Sequence, residues 1–170
     1  MMHRAFSRRA RQAVGIGLVT LAVITMAGCG FQLRGMHQPL LGMSEVGLSA
    51  NVSPFSETVR RALEQAGTEV SDDADLRVNL GDERIASNRL TRADSGSRET
   101  EITLTAPFSV QRVADDAYVL NQQQLETSTT VLLSTDDIYA GNQVRDEAVQ
   151  RLREQAADQL IDRLGALETP

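Results

Sequence analysis

The sequence predicts an α+β domain: a four-stranded, mostly antiparallel sheet with two helices packed on one face, in the order β-α-β-β-β-α. Three observations carry this. Four segments between residues 45 and 133 alternate apolar and polar side chains with period two, as half-buried strands do. Two other segments repeat apolar residues every three or four positions, as helices with one apolar stripe do. One-faced strands and striped helices bury both surfaces at once when the helices share a side of the sheet.

The first strand sets Val46, Leu48, Ala50 and Val52 against Glu45, Gly47, Ser49 and Asn51. Ser53-Pro54 then supplies a good N-cap and a proline suited to the first helical turn. Phe55, Val59, Ala62, Leu63 and Ala66 share one face of the first helix, and Gly67 suits its stop. The second strand alternates at Ala74, Leu76, Val78 and Leu80, and its pattern continues to Ile85. Residues 87–98, "SNRLTRADSGSR", form a polar turn with Asp94, Ser95 and Gly96 at the tip.

The third strand places Ile102, Leu104, Ala106, Phe108 and Val110 on one face and Thr103, Thr105, Pro107, Ser109 and Gln111 on the other. "ADDA" (114–117) is the next turn. The fourth strand runs from about Tyr118 to Leu133. Leu125, Thr127, Thr129, Val131 and Leu133 lie on one side of it, with Leu132 breaking the polar side. "STDDIYAGN" (134–142) reads as a loop. Val144, Ala148, Leu152, Ala156, Leu160 and Leu164 then recur every fourth residue in a helix of about twenty residues. The uncovered sheet face is rich in Thr, Ser, Asn and Gln. An antiparallel sheet commonly turns such a face to water.

Upstream of the domain, Arg4, Arg8, Arg9 and Arg11 precede an apolar run from Ala13 to Ala27. Fifteen helical residues reach about 22 Å, short of the roughly 30 Å hydrocarbon core. A basic start, a short apolar run and small residues make a secretory signal. Met26-Ala27-Gly28-Cys29 resembles a bacterial lipobox, and Cys29 is the only cysteine in the chain. Its thiol suits a diacylglyceryl thioether, and cleavage before it frees an amino group for a further acyl chain. More than one chain gives stable anchoring where one gives only reversible binding. The expected organisation is therefore a signal peptide (1–28), a lipidated tether (29–43) and one α/β domain (44–170).

Four of the seventeen basic residues and none of the twenty-three acidic ones lie in residues 1–28, so removing them moves the net charge from −6 to −10. Every basic residue is Arg. A domain this acidic does not fit nucleic acid, which needs a basic face. A catalytic role is not expected either. His37 is the only histidine after the signal, and the acid pairs Asp72-Asp73, Asp115-Asp116 and Asp136-Asp137 fall on turns. There is no glycine-rich phosphate loop. No cofactor and no metal are expected.

The stretch "CGFQLRG" (29–35) resembles the mature start of the LptE family of lipopolysaccharide-assembly lipoproteins. "NVSPFSETVRRALEQAGTEV" (51–70) is similar to the family's first helix entry, and "QVRDEAVQRLREQAADQLIDRL" (143–164) to its C-terminal helix. The resemblance covers essentially all of the chain after the signal. It implies a lipid-anchored plug inside the LptD-type outer-membrane β-barrel, assisting that barrel's assembly and the delivery of lipopolysaccharide to the outer leaflet. Gly30, where an Asp would hold a lipoprotein at the inner membrane, implies the outer membrane. A barrel lumen is polar and wet, which suits the polar sheet face.

Lipopolysaccharide carries phosphates, and guanidinium forks pair with phosphate bidentately. The resemblance thus points to Arg89, Arg92 and Arg98 in the 87–98 turn as phosphate contacts. The alternative is a solvated loop balanced by Asp94 and Glu99. Asp136, Ile138 and Tyr139 are candidate contacts with the barrel. Alternatively, Ile138 and Tyr139 tuck onto the core of a plain connector. The competing functional reading is an adaptor or assembly factor of another envelope complex.

Overall fold

The structure, a computed structural model, describes residues 42–90 and 97–167. Six strands and two helices follow in order: β1 (Glu45–Ala50), α1 (Pro54–Gln65), β2 (Glu69–Val70), β3 (Leu76–Leu80), β4 (Arg84–Arg89), β5 (Ser97–Arg112), β6 (Tyr118–Ser134) and α2 (Ile138–Gly165). The sheet is therefore six-stranded and mixed, which corrects the expected four mostly antiparallel strands. β1 runs parallel to both β2 and β3, and the other pairings are antiparallel.

Parallel pairing follows from α1, which carries the chain back between β1 and its neighbours. The helix start is closed reciprocally. The Ser56 N–H donates to Ser53 Oγ (3.1 Å) and the Ser53 N–H donates to Ser56 Oγ (2.9 Å). Gly67 leaves the helix at φ 88°, a left-handed state that glycine adopts freely.

β5 is the spine. β6 lines one of its edges from Ser97 to Gln111, while β3 and β4 share the other. The expected second strand is split into β3 and β4, and Pro107 supplies the reason. Its carbonyl accepts from the Gly81 N–H (2.8 Å), so that side of residue 107 faces the split, where proline has no N–H to donate. A Cβ at Gly81 would sit 2.7 Å from the Pro107 ring. The ladder breaks where one residue lacks a donor and the other must lack a side chain.

Ile102, Leu104, Ala106, Phe108 and Val110 of β5 are buried beneath the helices. Thr103, Thr105, Ser109 and Gln111 on the opposite face are half-exposed. Both helices lie on one face, as the pattern predicts. Ala148, Leu152, Ala156, Leu160 and Leu164 of α2 are buried. Thr127 takes an apolar position in β6 because its hydroxyl donates to the Leu152 carbonyl (3.1 Å). The outer edge of β6 is capped by α2: Gln159 Nε2 donates to the Glu126 carbonyl (3.1 Å) and Arg163 Nη1 to the Gln124 carbonyl (2.9 Å). Such caps close backbone groups that would otherwise template aggregation.

α2 is longer than its apolar stripe. It spans 28 residues and starts inside the predicted loop. Asp137 caps it, accepting from the Tyr139 and Ala140 N–H groups at 3.0 Å each. Val144, expected on the buried stripe, is exposed, as is Val52 beyond the end of β1. Among the described residues no helix is long and apolar enough to cross a membrane.

Candidate functional site: an arginine cleft at one end of the sheet

Strand register assembles the site. Arg89 of β4 stands opposite Thr100 of β5, and Arg98 of β5 stands opposite Leu133 of β6. Directly opposed residues point to the same face. Thr100 is buried on the helix side, in step with Ile102 and Leu104. Arg89 and Arg98 therefore share the helix-bearing face, at the end of the sheet where α2 begins. Arg145 reaches the same place from the second turn of α2. The three arginines line one cleft of about 440 Å³, together with Ser87, Thr100, Leu133, Ser134, Thr135 and Ile138.

Among the described residues no acidic one lines this cleft. The ion pairs among the described residues are Arg112–Asp115 and Arg153–Glu83, so none engages Arg89, Arg98 or Arg145. Arg98 and Arg145 are half-buried and Arg89 is exposed. Three like charges at one place repel each other, and in a chain with six more acidic than basic residues this is a local exception. Its natural complement is a multivalent anion. Hydroxyls of Ser87, Thr100, Ser134 and Thr135 add hydrogen-bonding capacity, while Leu133 and Ile138 give one wall an apolar surface.

Of the expected phosphate ligands, Arg89 and Arg98 are thus brought together. Arg92 lies in residues 91–96, outside the described residues, with the turn tip Asp94, Ser95 and Gly96. Arg145 is the cleft residue that the sequence pattern did not single out. A signal existed. Arg145 lies three, four and seven positions before Ala148, Val149 and Leu152, so it occupies a stripe position that periodicity reserves for an apolar residue.

Asp136, Ile138 and Tyr139 stand at the neck between β6 and α2. Ile138 is 72% and Tyr139 89% exposed, so neither tucks onto the core. Ile138 forms part of the cleft rim, and the Thr135 hydroxyl donates to Asp136 Oδ1 (3.4 Å). Cys29, the signal (1–28) and all of the tether (29–43) but Gly42 and Met43 lie outside the described residues.

The open sheet face carries a second polar arrangement. Asn79 Nδ2 donates to Gln111 Oε1 (2.7 Å) and to Ser109 Oγ (3.4 Å), tying β3 to β5 by side chains as well as backbone. Arg77, opposite Gln111, is the charged neighbour of this ladder.

Residues 45–164 match the family model of LptE, described as lipopolysaccharide-assembly. The chain is 29% identical to the LPS-assembly lipoprotein LptE of Pectobacterium atrosepticum, over 96% of this chain and 86% of that protein. Among solved structures, rare lipoprotein B from Shewanella oneidensis superposes with a TM-score of 0.63 at 19% identity, covering 73% of this chain and 96% of that one. A lipoprotein B from Nitrosomonas europaea gives a TM-score of 0.61 at 18% identity, covering 81% and 91%. At these identities the structural likenesses speak to the fold alone.

Proposed function

The chain belongs to the LptE family of lipopolysaccharide-assembly lipoproteins, and on that premise we propose that it plugs an LptD-type outer-membrane β-barrel and holds lipopolysaccharide phosphates in its arginine cleft. It is not an enzyme. Residues 1–28 are removed as a signal, Cys29 carries the acyl anchor, and residues 29–43 tether the domain to the periplasmic side of the outer membrane. From there the domain enters the barrel lumen, assists the barrel's assembly and helps pass lipopolysaccharide to the outer leaflet.

The observation that carries the ligand reading is the convergence of Arg89, Arg98 and Arg145 on one cleft with no ion-pair partner among the described residues. Guanidinium forks gathered in one cleft match the bidentate geometry of phosphate. Leu133 and Ile138 suit an amphiphile better than a free anion. The half-exposed Thr, Ser, Asn and Gln side chains of the open sheet face suit a wet lumen.

The test is lipopolysaccharide binding by the triple variant Arg89→Ala/Arg98→Ala/Arg145→Ala at several salt concentrations. A hydrogen bond to a charged group contributes about 1.5–3 kcal/mol, so a loss of more than tenfold in affinity is expected, with a flatter salt dependence. Unchanged affinity and an unchanged salt slope would remove the cleft from the account.

A further inference from the structure

At the other end of β5, on the open face, lies a shallow hollow of about 330 Å³ that the arginine cleft does not touch. Asn79, Gly81, Pro107, Ser109, Tyr118, Asn121 and Gln122 form its surface, with Phe108 beside them, and none of these is charged. Three features build it. The register slips where Phe108 pairs with Gln123 and Val110 with Leu120, so Asn121 and Gln122 both stand opposite Ser109. Bulges of this kind re-aim side chains and gather beside functional sites. Gln122 takes φ 49°, a backbone state that glycine adopts freely and other residues adopt at a cost. Tyr118 is 55% exposed on the same face, opposite Gln111.

A left-handed residue at a bulge is most cheaply a glycine. Here the chain keeps a glutamine, whose amide is engaged by no hydrogen bond within the described residues. The Asn79 amide beside it is held in place by Gln111 and Ser109. The Gly81–Pro107 contact leaves no room for a Cβ on the floor. The result is an aromatic ring, three amides and a hydroxyl around a neutral, open hollow. A pyranose ring has the matching chemistry: an apolar C–H face to lie on an aromatic ring, and a rim of hydroxyls that both donate and accept, as amides do.

We propose that this hollow is a saccharide-binding subsite, with the Tyr118 ring as its platform and the amides of Asn79, Asn121 and Gln122 as its hydroxyl ligands. The occupant is a neutral hexose of the saccharide portion of lipopolysaccharide. That choice of source rests on the lipopolysaccharide reading above. The same sugar chemistry also occurs in the cell-wall glycan.

The full chain is titrated with lipid-free, dephosphorylated core oligosaccharide and, separately, with the N-acetylglucosamine–N-acetylmuramic acid disaccharide. The core oligosaccharide should bind and the disaccharide should bind at least fivefold more weakly. Gln122→Gly should melt at a higher temperature than the parent chain yet bind the oligosaccharide at least fivefold more weakly. Tyr118→Ser should lose binding while keeping its circular dichroism. Arg89→Ala/Arg98→Ala should bind the oligosaccharide as the parent does. If the parent chain binds no oligosaccharide, or Gln122→Gly and Tyr118→Ser both bind it unchanged, the subsite is overturned. Preference for the cell-wall disaccharide overturns the assigned source. Should the arginine variant instead keep full affinity for intact lipopolysaccharide, the phosphate cleft fails while the saccharide subsite stands.

Discussion

Arg153 of α2 lays its guanidinium across the carboxylate of Glu83. Nε is 3.0 Å from each carboxylate oxygen and Nη2 is 2.6 Å from Oε1. Glu83 sits in the joint where Pro107 splits β3 from β4, so this fork fastens the long helix to the weakest place in the sheet. Both side chains are largely buried, which separates the pair from an exposed ion pair of negligible worth. Removing one partner leaves the other charge uncompensated. Arg153→Ala is expected to lower the unfolding free energy by about 2–4 kcal/mol in urea titration. The exposed pair Arg112–Asp115 offers the contrast, with Asp115→Ala expected within about 1 kcal/mol of the parent.

The core prediction concerns Leu152, which is fully buried and whose carbonyl also receives the Thr127 hydroxyl. Leu152→Ala should cost about 2–5 kcal/mol, the loss of buried methyl groups plus a cavity. Leu132, on the open face, is exposed. Leu132→Ala should stay within about 0.5 kcal/mol in the same thermal or urea assay.

Asp137 sets where α2 begins, and with it one wall of the arginine cleft. Asp137→Ala removes both cap bonds and should cost about 0.5–2 kcal/mol. Amide hydrogen exchange at Tyr139, Ala140 and Gly141 should accelerate while the buried turns around Leu152 keep their protection.

Ile138 and Tyr139 lie so far out of the core that replacing them should not disturb folding. Ile138→Ser/Tyr139→Ser should unfold within about 0.5 kcal/mol of the parent. If the neck contacts the barrel, the same variant should copurify with less of the LptD-type barrel from detergent-solubilised outer membranes.

Much of the domain was legible from periodicity. The alternation of Ile102 through Val110 gave the spine and its buried face, and the Ala148 to Leu164 stripe gave the helix that covers it. Legibility failed where tertiary context outweighed local pattern. β2 is only Glu69–Val70, too short to show any period, and exists because β1 offers it an edge. The β3–β4 break depends on Pro107, more than twenty residues away in sequence. The first turn of α2 leaves Ile138 and Tyr139 exposed, so it carries no apolar stripe and announces itself only through the Asp137 cap. The cleft was half legible. Arg89 and Arg98 stood out in a polar turn, but Arg145 joins them only through a fold in which β6 returns the chain to the same end of the sheet.

The central claim is best tested by photocrosslinking in living cells, with a photoreactive residue at Leu133 inside the arginine cleft and another at the exposed Arg60 of α1. The account predicts a lipopolysaccharide adduct at position 133 and none at position 60. It further predicts that the adduct at position 133 disappears when Arg89, Arg98 and Arg145 are alanine. An adduct of equal strength at both positions, or one at position 133 indifferent to the arginines, would contradict it.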